Sequence, residues 1–163
     1  MLSAILKKSD CASCKFCCSF RRQSLWETPL FSKEIAQKLG EAFPEAKFRP
    51  VGKSSMTIDL EKLYKTNNPE EEVPCPFLDS KNGCCLPPDL KPFDCSIWPF
   101  RAVRVNEDTI SVALTPTCPS VNKVPREKIM EFLNDGLGKK ILDYARENPD
   151  IIKEYSEFFL VLQ

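Results

Sequence analysis

Cysteine is the residue type whose number and spacing in this chain most directly indicate chemistry. The sequence has nine cysteines and no histidine, and the segment DCASCKFCCSF at 10–20 alone holds Cys11, Cys14, Cys17 and Cys18. Repeated C-x-x-C spacing can direct several sulfurs toward one centre, as in the bacterial ferredoxin motif for [4Fe–4S] clusters. The same spacing also suits zinc. The lack of histidine excludes a mixed Cys/His zinc site and a Cys–His nucleophile pair.

A second group of cysteines lies in the proline-rich stretch 74–100, and one more follows it. These residues are Cys75, Cys84, Cys85, Cys95 and Cys118. Cys75 and Cys118 each precede a proline, as does the distant fourth ligand of the ferredoxin motif. An odd cysteine count in a chain expected in the cytosol argues against a disulfide framework. Proline or glycine near the cysteines predicts loops around them.

Cys18 has two interpretations, because side chains of adjacent residues diverge in an extended backbone. Either Cys18 serves a second site, or it is a buried apolar filler, as free cysteines often are. We expect Cys11, Cys14 and Cys17 to share one cluster and Cys18 to lean toward another. Basic residues that could stabilise a negatively charged cluster, or be ordinary solvated residues, are Lys15, Arg21, Arg22, Arg101 and Arg104.

Length and charge indicate an ordinary globular protein. A chain of 163 residues predicts a single domain over 1–163. Its 23 basic and 23 acidic residues balance, so nothing points to nucleic acid. No apolar run is long enough to span a membrane. The opening MLSAILKKSD is unlike a secretory signal, so we expect a cytoplasmic protein.

The predicted elements make a small α+β domain that is loop-rich at its centre. Residues 1–8 predict a short helix, and SKEIAQKLG predicts another, with Ser32 as N-cap and Gly40 as its stop. Strands are expected at 46–51 and 55–60, and a β-hairpin at about 97–116. Residues 120–163 predict a helical C-terminal segment beside a cysteine-rich, metal-binding core at 11–118. Its three helices would cover 125–136, 137–148 and 149–163.

The joint cysteine spacing resembles a known family. Cys11-x-x-Cys14-x-x-Cys17-Cys18 resembles the CxxCxxCC family of zinc- or iron-chelating proteins, the YkgJ-like group that includes flagellin N-methylase. The family's downstream pattern is similar to Cys75-Pro76-Phe77-Leu78, Cys85, and Lys91-Pro92-Phe93-Asp94-Cys95 with Pro99. The chain departs from that pattern at Pro88, Lys91 and Ser96, where tyrosine, arginine and arginine are usual.

The resemblance implies a set of metal ligands more firmly than it implies a reaction. Cys85 keeps the family's step of ten residues to Cys95, so Cys84 is interpreted as the additional ninth cysteine. The eight cysteines that remain would form two sets of four thiolates. They are Cys11, Cys14, Cys17, Cys18, Cys75, Cys85, Cys95 and Cys118.

Three functions follow as hypotheses. The first is an iron–sulfur protein with one or two [4Fe–4S] clusters, acting in electron transfer with a redox partner or in chemistry on a substrate. The second is a structural zinc module that presents a surface to another protein. The third, by analogy with flagellin methylation, is an enzyme that modifies a protein or peptide. The chain has only five glycines and no C-x-x-x-C-x-x-C triplet, so a conventional nucleotide pocket is not expected, and no catalytic residue is assigned.

Overall fold

The computed structural model describes residue 2 and residues 5–79, 81 and 83–162. It has both helices and several small sheets, and the predicted α+β class is confirmed. The backbone divides into two compact units, residues 11–95 and residues 1–10 with 96–163. The expectation of one domain stays a prediction, since two compact units can belong to one domain. No helix in the described ranges is long and apolar enough to cross a membrane.

The first elements of the chain differ from the prediction of a helix at 1–8, part of which falls on residues outside the described ones. The first helix, α1, covers Lys8–Cys14, so it includes the first two cysteines of the motif. It ends before Lys15, which has a left-handed φ of 53°. A tight 3-10 turn follows over Phe16–Cys18, and strand β1 covers Ser19–Arg21.

A three-stranded antiparallel sheet with one helix forms the middle of the 11–95 unit. Its members are β2 (Leu30–Ser32), α2 (Lys33–Ala42), β3 (Phe48–Val51) and β4 (Ser55–Ile58), with strand order β2-β4-β3. The predicted strands around Gly52, which has a φ of 60°, are confirmed. The Ser32 side chain accepts a hydrogen bond from the Ile35 N–H at 3.2 Å, as the predicted N-cap requires.

Gly40 does not end helix α2, and that part of the prediction is wrong. The helix continues to Ala42, and the Phe43 N–H still donates to the Leu39 carbonyl at 2.8 Å. Pro44 comes next, and a residue before proline disfavours helical backbone. Leu39 is fully buried on the inner face of the helix. The proline and the packing of Leu39 therefore set the end of α2.

Two short antiparallel ladders position the cysteines of this unit. Strand β5 (Glu72–Pro74) pairs with β1, with Ser19 opposite Pro74. Strand β6 (Leu78–Asp79) pairs with β7 (Gly83–Cys84). Helix α3 (Phe93–Ile97) follows. The core beneath them centres on Phe77, which is 2% exposed and lies in ring contact with Phe31, Phe43 and Phe48.

The polar loop before β5 is organised by the Glu71 carboxylate. It accepts hydrogen bonds from the Lys65 N–H at 2.7 Å, the Thr66 N–H at 2.8 Å and the Thr66 hydroxyl at 2.6 Å. The bonds from Thr66 and Lys65 lower the pKa of the Glu71 carboxyl below its usual range. The loop is therefore held most firmly when Glu71 is ionised.

We expect Glu71→Gln to lower the thermal unfolding midpoint at neutral pH. A carboxyl whose pKa is lowered by folding contributes stability above its unfolded pKa, and this contribution is lost as pH falls through the folded pKa. The gap between wild type and variant should therefore shrink as the pH falls below about 4. Glu45→Gln, which alters an exposed carboxylate, is the control. If the unfolding midpoints of wild type and Glu71→Gln differed by the same amount at neutral pH and below about pH 4, the role of the ionised carboxylate would be contradicted.

The 96–163 unit is built on the predicted hairpin, which is confirmed. Strands β8 (Phe100–Asn106) and β9 (Thr109–Leu114) pair antiparallel, with Arg101 opposite Ala113. Helices α4 (Arg126–Phe132) and α5 (Gly138–Glu147) follow and agree with the first two predicted helices. A wide turn at Leu133–Leu137 joins them, and Gly136 adopts a φ of 109° there.

The third predicted helix, at 149–163, is wrong. A 3-10 turn at Pro149–Ile151 leads into β10 (Lys153–Glu154), and β11 (Leu160–Val161) follows. Strand β10 runs parallel to β8 and β11 antiparallel to β9, which gives the order β10-β8-β9-β11. Phe159 and Val161 pack on Val103 and Ala113 of the hairpin, whereas Tyr155 is exposed. Pairing with the hairpin thus overrides the helical spacing.

Candidate thiol site

The C-x-x-C-x-x-C-C segment lies on two different elements. Cys11 and Cys14 stand on helix α1 and are exposed. Cys17 and Cys18 belong to the turn after Lys15 and are half-buried. The first half of this segment is therefore helical. The left-handed backbone at Lys15 separates the helix that carries the first pair from the turn that carries the second.

Cys17 and Cys18 form a close pair of thiols. Their sulfur atoms lie 3.9 Å apart. The hydrogen bond with Cys18, burial and the charge of Cys18 raise the pKa of the Cys17 thiol well above its usual range, and the Lys91 ammonium opposes them. The Cys18 carbonyl accepts the Cys75 N–H at 2.8 Å, which extends the β1–β5 ladder. This backbone bond brings the two cysteine groups of the sequence together.

Cys75 occupies a tight turn between β5 and β6. Its carbonyl accepts the Leu78 N–H at 3.0 Å. Burial and the charges of Cys84 and Cys17 together raise the pKa of its thiol to about 12, against the lowering hydrogen bond from the Phe77 N–H. An N–H aimed at sulfur from two residues ahead stabilises a thiolate. This turn is therefore suited to present Cys75 as a ligand.

Cys84 and Cys85 point in different directions from the β6–β7 hairpin. Cys84 stands opposite Leu78 in the ladder, and its charge acts on the Cys75 thiol. The Cys85 sulfur instead donates to the Gly83 carbonyl at 3.6 Å, while its N–H donates to the Phe77 carbonyl at 2.9 Å. Adjacent residues of a strand face opposite sides. The structure thus associates Cys84 with Cys75, whereas the sequence spacing selected Cys85.

Cys95 completes the group from helix α3. Burial, the Asp94 carboxylate and the charge of Cys75 raise the pKa of the Cys95 thiol, while the Lys91 ammonium lowers it. Asp94 is buried and accepts the Leu30 N–H at 3.0 Å, so its carboxylate ties α3 to strand β2.

Five thiols from four segments of the 11–95 unit therefore influence one another through contact or charge. We call this set the thiol cluster; it comprises Cys17, Cys18, Cys75, Cys84 and Cys95. Among the described residues, no group of three Cys, Asp or Glu has the geometry of a metal site. The donor set fits a thiolate-bound metal in type and number, but the sulfurs do not adopt ligand geometry in this structure.

The other predicted ligands lie outside the thiol cluster. Cys11, Cys14 and Cys85 are exposed in the 11–95 unit. Cys118 is buried in the 96–163 unit, where its carbonyl accepts the Asn122 N–H at 2.9 Å. The assignment of eight cysteines to two sets of four stays a prediction. The ten-residue step to Cys95 led to the choice of Cys85 over Cys84 as a ligand. In the structure Cys84 lies in strand β7, directly after Gly83, and its side chain faces away from that of Cys85.

No match was found. This holds for family models, for curated proteins and for solved structures. The resemblance to the CxxCxxCC family therefore stays a prediction.

Proposed function

We propose that this protein binds an iron–sulfur cluster through the thiol cluster. The observation that carries the proposal is that thiols from four segments, distant in sequence, act on one another through contact or charge in one region of the 11–95 unit, with Cys84 exposed and the others half-buried. A [4Fe–4S] cluster takes four cysteine thiolates. We infer that the four are Cys17, Cys75, Cys84 and Cys95, each of which influences at least one of the others.

Charge and burial around the thiol cluster support this assignment. The Lys91 ammonium acts on both Cys17 and Cys95, and a cluster with four thiolates carries net negative charge. The Phe77 N–H is directed at the Cys75 sulfur, and such bonds tune the potential of a cluster. Cys75 packs against the aromatic core that contains Phe77, so this core borders the thiol cluster.

Zinc is the second candidate, and one distance favours it. Two thiolates on a tetrahedral zinc stand about 3.8 Å apart, given Zn–S bonds of about 2.3 Å. The sulfurs of Cys17 and Cys18 are 3.9 Å apart. In a [4Fe–4S] cluster each iron takes its own cysteine, so cysteine sulfurs stand farther apart. Cys17 and Cys18 could therefore bind one zinc together at this distance, whereas an iron–sulfur cluster held by Cys17, Cys75, Cys84 and Cys95 leaves Cys18 without a role as a ligand.

A cluster held in this way would supply electron transfer to a redox partner, or polarise a protein or peptide substrate at an iron. No residue is assigned to catalysis. A cytoplasmic location belongs to the same proposal, because reduced thiols persist there.

The test is the content of iron, acid-labile sulfide and zinc per chain in anaerobically purified protein. We expect about four irons and four sulfides for one cluster, with visible absorption that weakens on reduction. Stoichiometric zinc without sulfide would replace this proposal by the second candidate. Protein that contains none of the three would contradict both.

A further inference from the structure

A buried arginine in the 96–163 unit has no ion-pair partner among the described residues. Arg101 lies in β8 and is 4% exposed. Its guanidinium carbon stands 4.4 Å from the centre of the Trp98 ring. The Nε and Nη1 atoms are buried and have no hydrogen-bond partner within the described ranges. By contrast, the partly exposed Arg104 of the same strand pairs with Glu154 at 3.7 Å.

This arrangement is energetically costly unless an anion is bound. Guanidinium keeps its charge at any pH that proteins tolerate. An isolated buried charge is strongly unfavourable, and an unsatisfied donor adds to the cost. The Trp98 ring offsets part of this cost and fixes the plane of the guanidinium. It does not accept the hydrogen bonds of Nε and Nη1, which are left for another group.

Two buried hydroxyls follow strand β9 in the chain, and the strand register places one of them, that of Thr115, near Arg101. The Oγ1 atoms of Thr115 and Thr117 are buried and have no partner in the part of the chain that is described. The Thr115 N–H donates to the Pro99 carbonyl at 2.9 Å, which continues the β8–β9 ladder. Because Arg101 stands opposite Ala113, Thr115 follows on the same face as the diagonal neighbour of Arg101, about 7–8 Å away between Cα atoms. That separation is within reach of an arginine side chain.

We propose that Arg101 and Thr115 bind a phosphate group, either free phosphate or that of a small organic molecule. The guanidinium supplies charge and planar donors, and the Thr115 hydroxyl supplies a further donor from the end of the neighbouring strand. A planar carboxylate can be satisfied by one guanidinium alone, whereas donors on two residues suit the larger number of phosphate oxygens. The thiol cluster lies in the other unit, and this proposal does not depend on it.

The test is thermal unfolding of the anaerobically purified 163-residue chain at constant ionic strength, with phosphate, acetate or chloride. Unfolding opens an enclosed site, so the midpoint reports binding whether or not the folded site is accessible. We expect the midpoint to rise progressively with phosphate and to change little with chloride. Equal shifts with phosphate and chloride would overturn the proposal, and a shift with acetate alone would overturn the choice of phosphate.

Variants locate the effect. Arg101→Met should abolish the phosphate response and, by removing a buried charge, leave the anion-free midpoint equal or higher. Thr115→Val keeps the shape of the side chain but removes the hydroxyl, so it should weaken the rise of the midpoint with phosphate. If Arg101→Met fails to fold, this variant tests the proposal in its place. Arg104→Met is the matched control in the same strand and should respond as wild type does. A full response in both Arg101→Met and Thr115→Val would overturn the assignment. A phosphorylated small molecule that shifts the midpoint at lower concentration than inorganic phosphate would identify the source of the group.

Discussion

Cys84→Ser is expected to lower the iron and sulfide content per chain several-fold, and Cys85→Ser to leave both near the wild-type level. Serine keeps the shape of the side chain but removes the soft thiolate that iron and zinc prefer. Cys84 acts on Cys75 through its charge, whereas the Cys85 sulfur is directed at the Gly83 carbonyl. The measurement is iron and sulfide per chain after anaerobic purification, with the visible spectrum.

The pair of adjacent cysteines supplies its own control. Cys84 and Cys85 share a hairpin and are both exposed, so a general effect of substitution should be similar in both variants. Loss of metal from Cys85→Ser but not from Cys84→Ser would favour the ligand set implied by the family resemblance. Cys118→Ser adds a further comparison, because that residue lies in the other unit. A loss of half the iron in Cys118→Ser would indicate a second cluster.

Phe77→Ala is expected to have the largest effect on stability, a loss of about 3–5 kcal/mol in the free energy of unfolding. Phe77 is 2% exposed, and its ring contacts those of Phe31, Phe43 and Phe48. The cavity left by alanine would open beneath the turn that carries Cys75, and the Phe77 backbone also bonds the Cys85 N–H. Urea unfolding followed by circular dichroism measures the loss.

Leu63→Ala is the matched control for the aromatic core. Leu63 lies in the same unit but is 52% exposed, and exposed substitutions usually change stability by less than about 0.5 kcal/mol. If Phe77→Ala cost no more than Leu63→Ala, the aromatic cluster would not be the centre of this unit. The total stability of a domain is only about 5–15 kcal/mol, so a loss of this size leaves more of the protein unfolded. We therefore also expect Phe77→Ala to bind less metal.

Local signals predicted local structure well. Alternating residues around the turn Glu107-Asp108 predicted the hairpin of β8 and β9, and Ser32 predicted the start of α2. The segment 149–163 was misassigned because Ile151, Tyr155 and Phe158 fit helical spacing, whereas the segment gains more by pairing with the hairpin on either side. This pairing involves strands that lie about fifty residues earlier in the chain, so the spacing of apolar residues within 149–163 cannot reveal it.

The sequence identified the residue type of the candidate site but not the grouping of its members. The cysteine count and the lack of histidine predicted thiolate ligands, and that ligand role stays a prediction. Three of the predicted ligands, Cys17, Cys75 and Cys95, lie in one region of the structure. The register of the β6–β7 ladder decides which of the two adjacent cysteines lies on the side of Cys75. The sequence does not reveal that register, so it could not show that Cys84, and not Cys85, acts on Cys75. The burial of Arg101 is likewise a tertiary property, and the sequence suggested only a charged residue near a cysteine group.

The order β10-β8-β9-β11 has a consequence for self-association. A two-stranded hairpin offers two open edges whose unpaired N–H and C=O groups can recruit strands from other molecules. Here one segment, residues 153–161, crosses from one side of the hairpin to the other and covers both edges. The new outer strands are only two residues long, and β10 carries Lys153 and Glu154. Borders as short as these, one of them charged, make poor templates for further strand addition, so the same residues that complete the sheet also protect the protein against edge-to-edge aggregation.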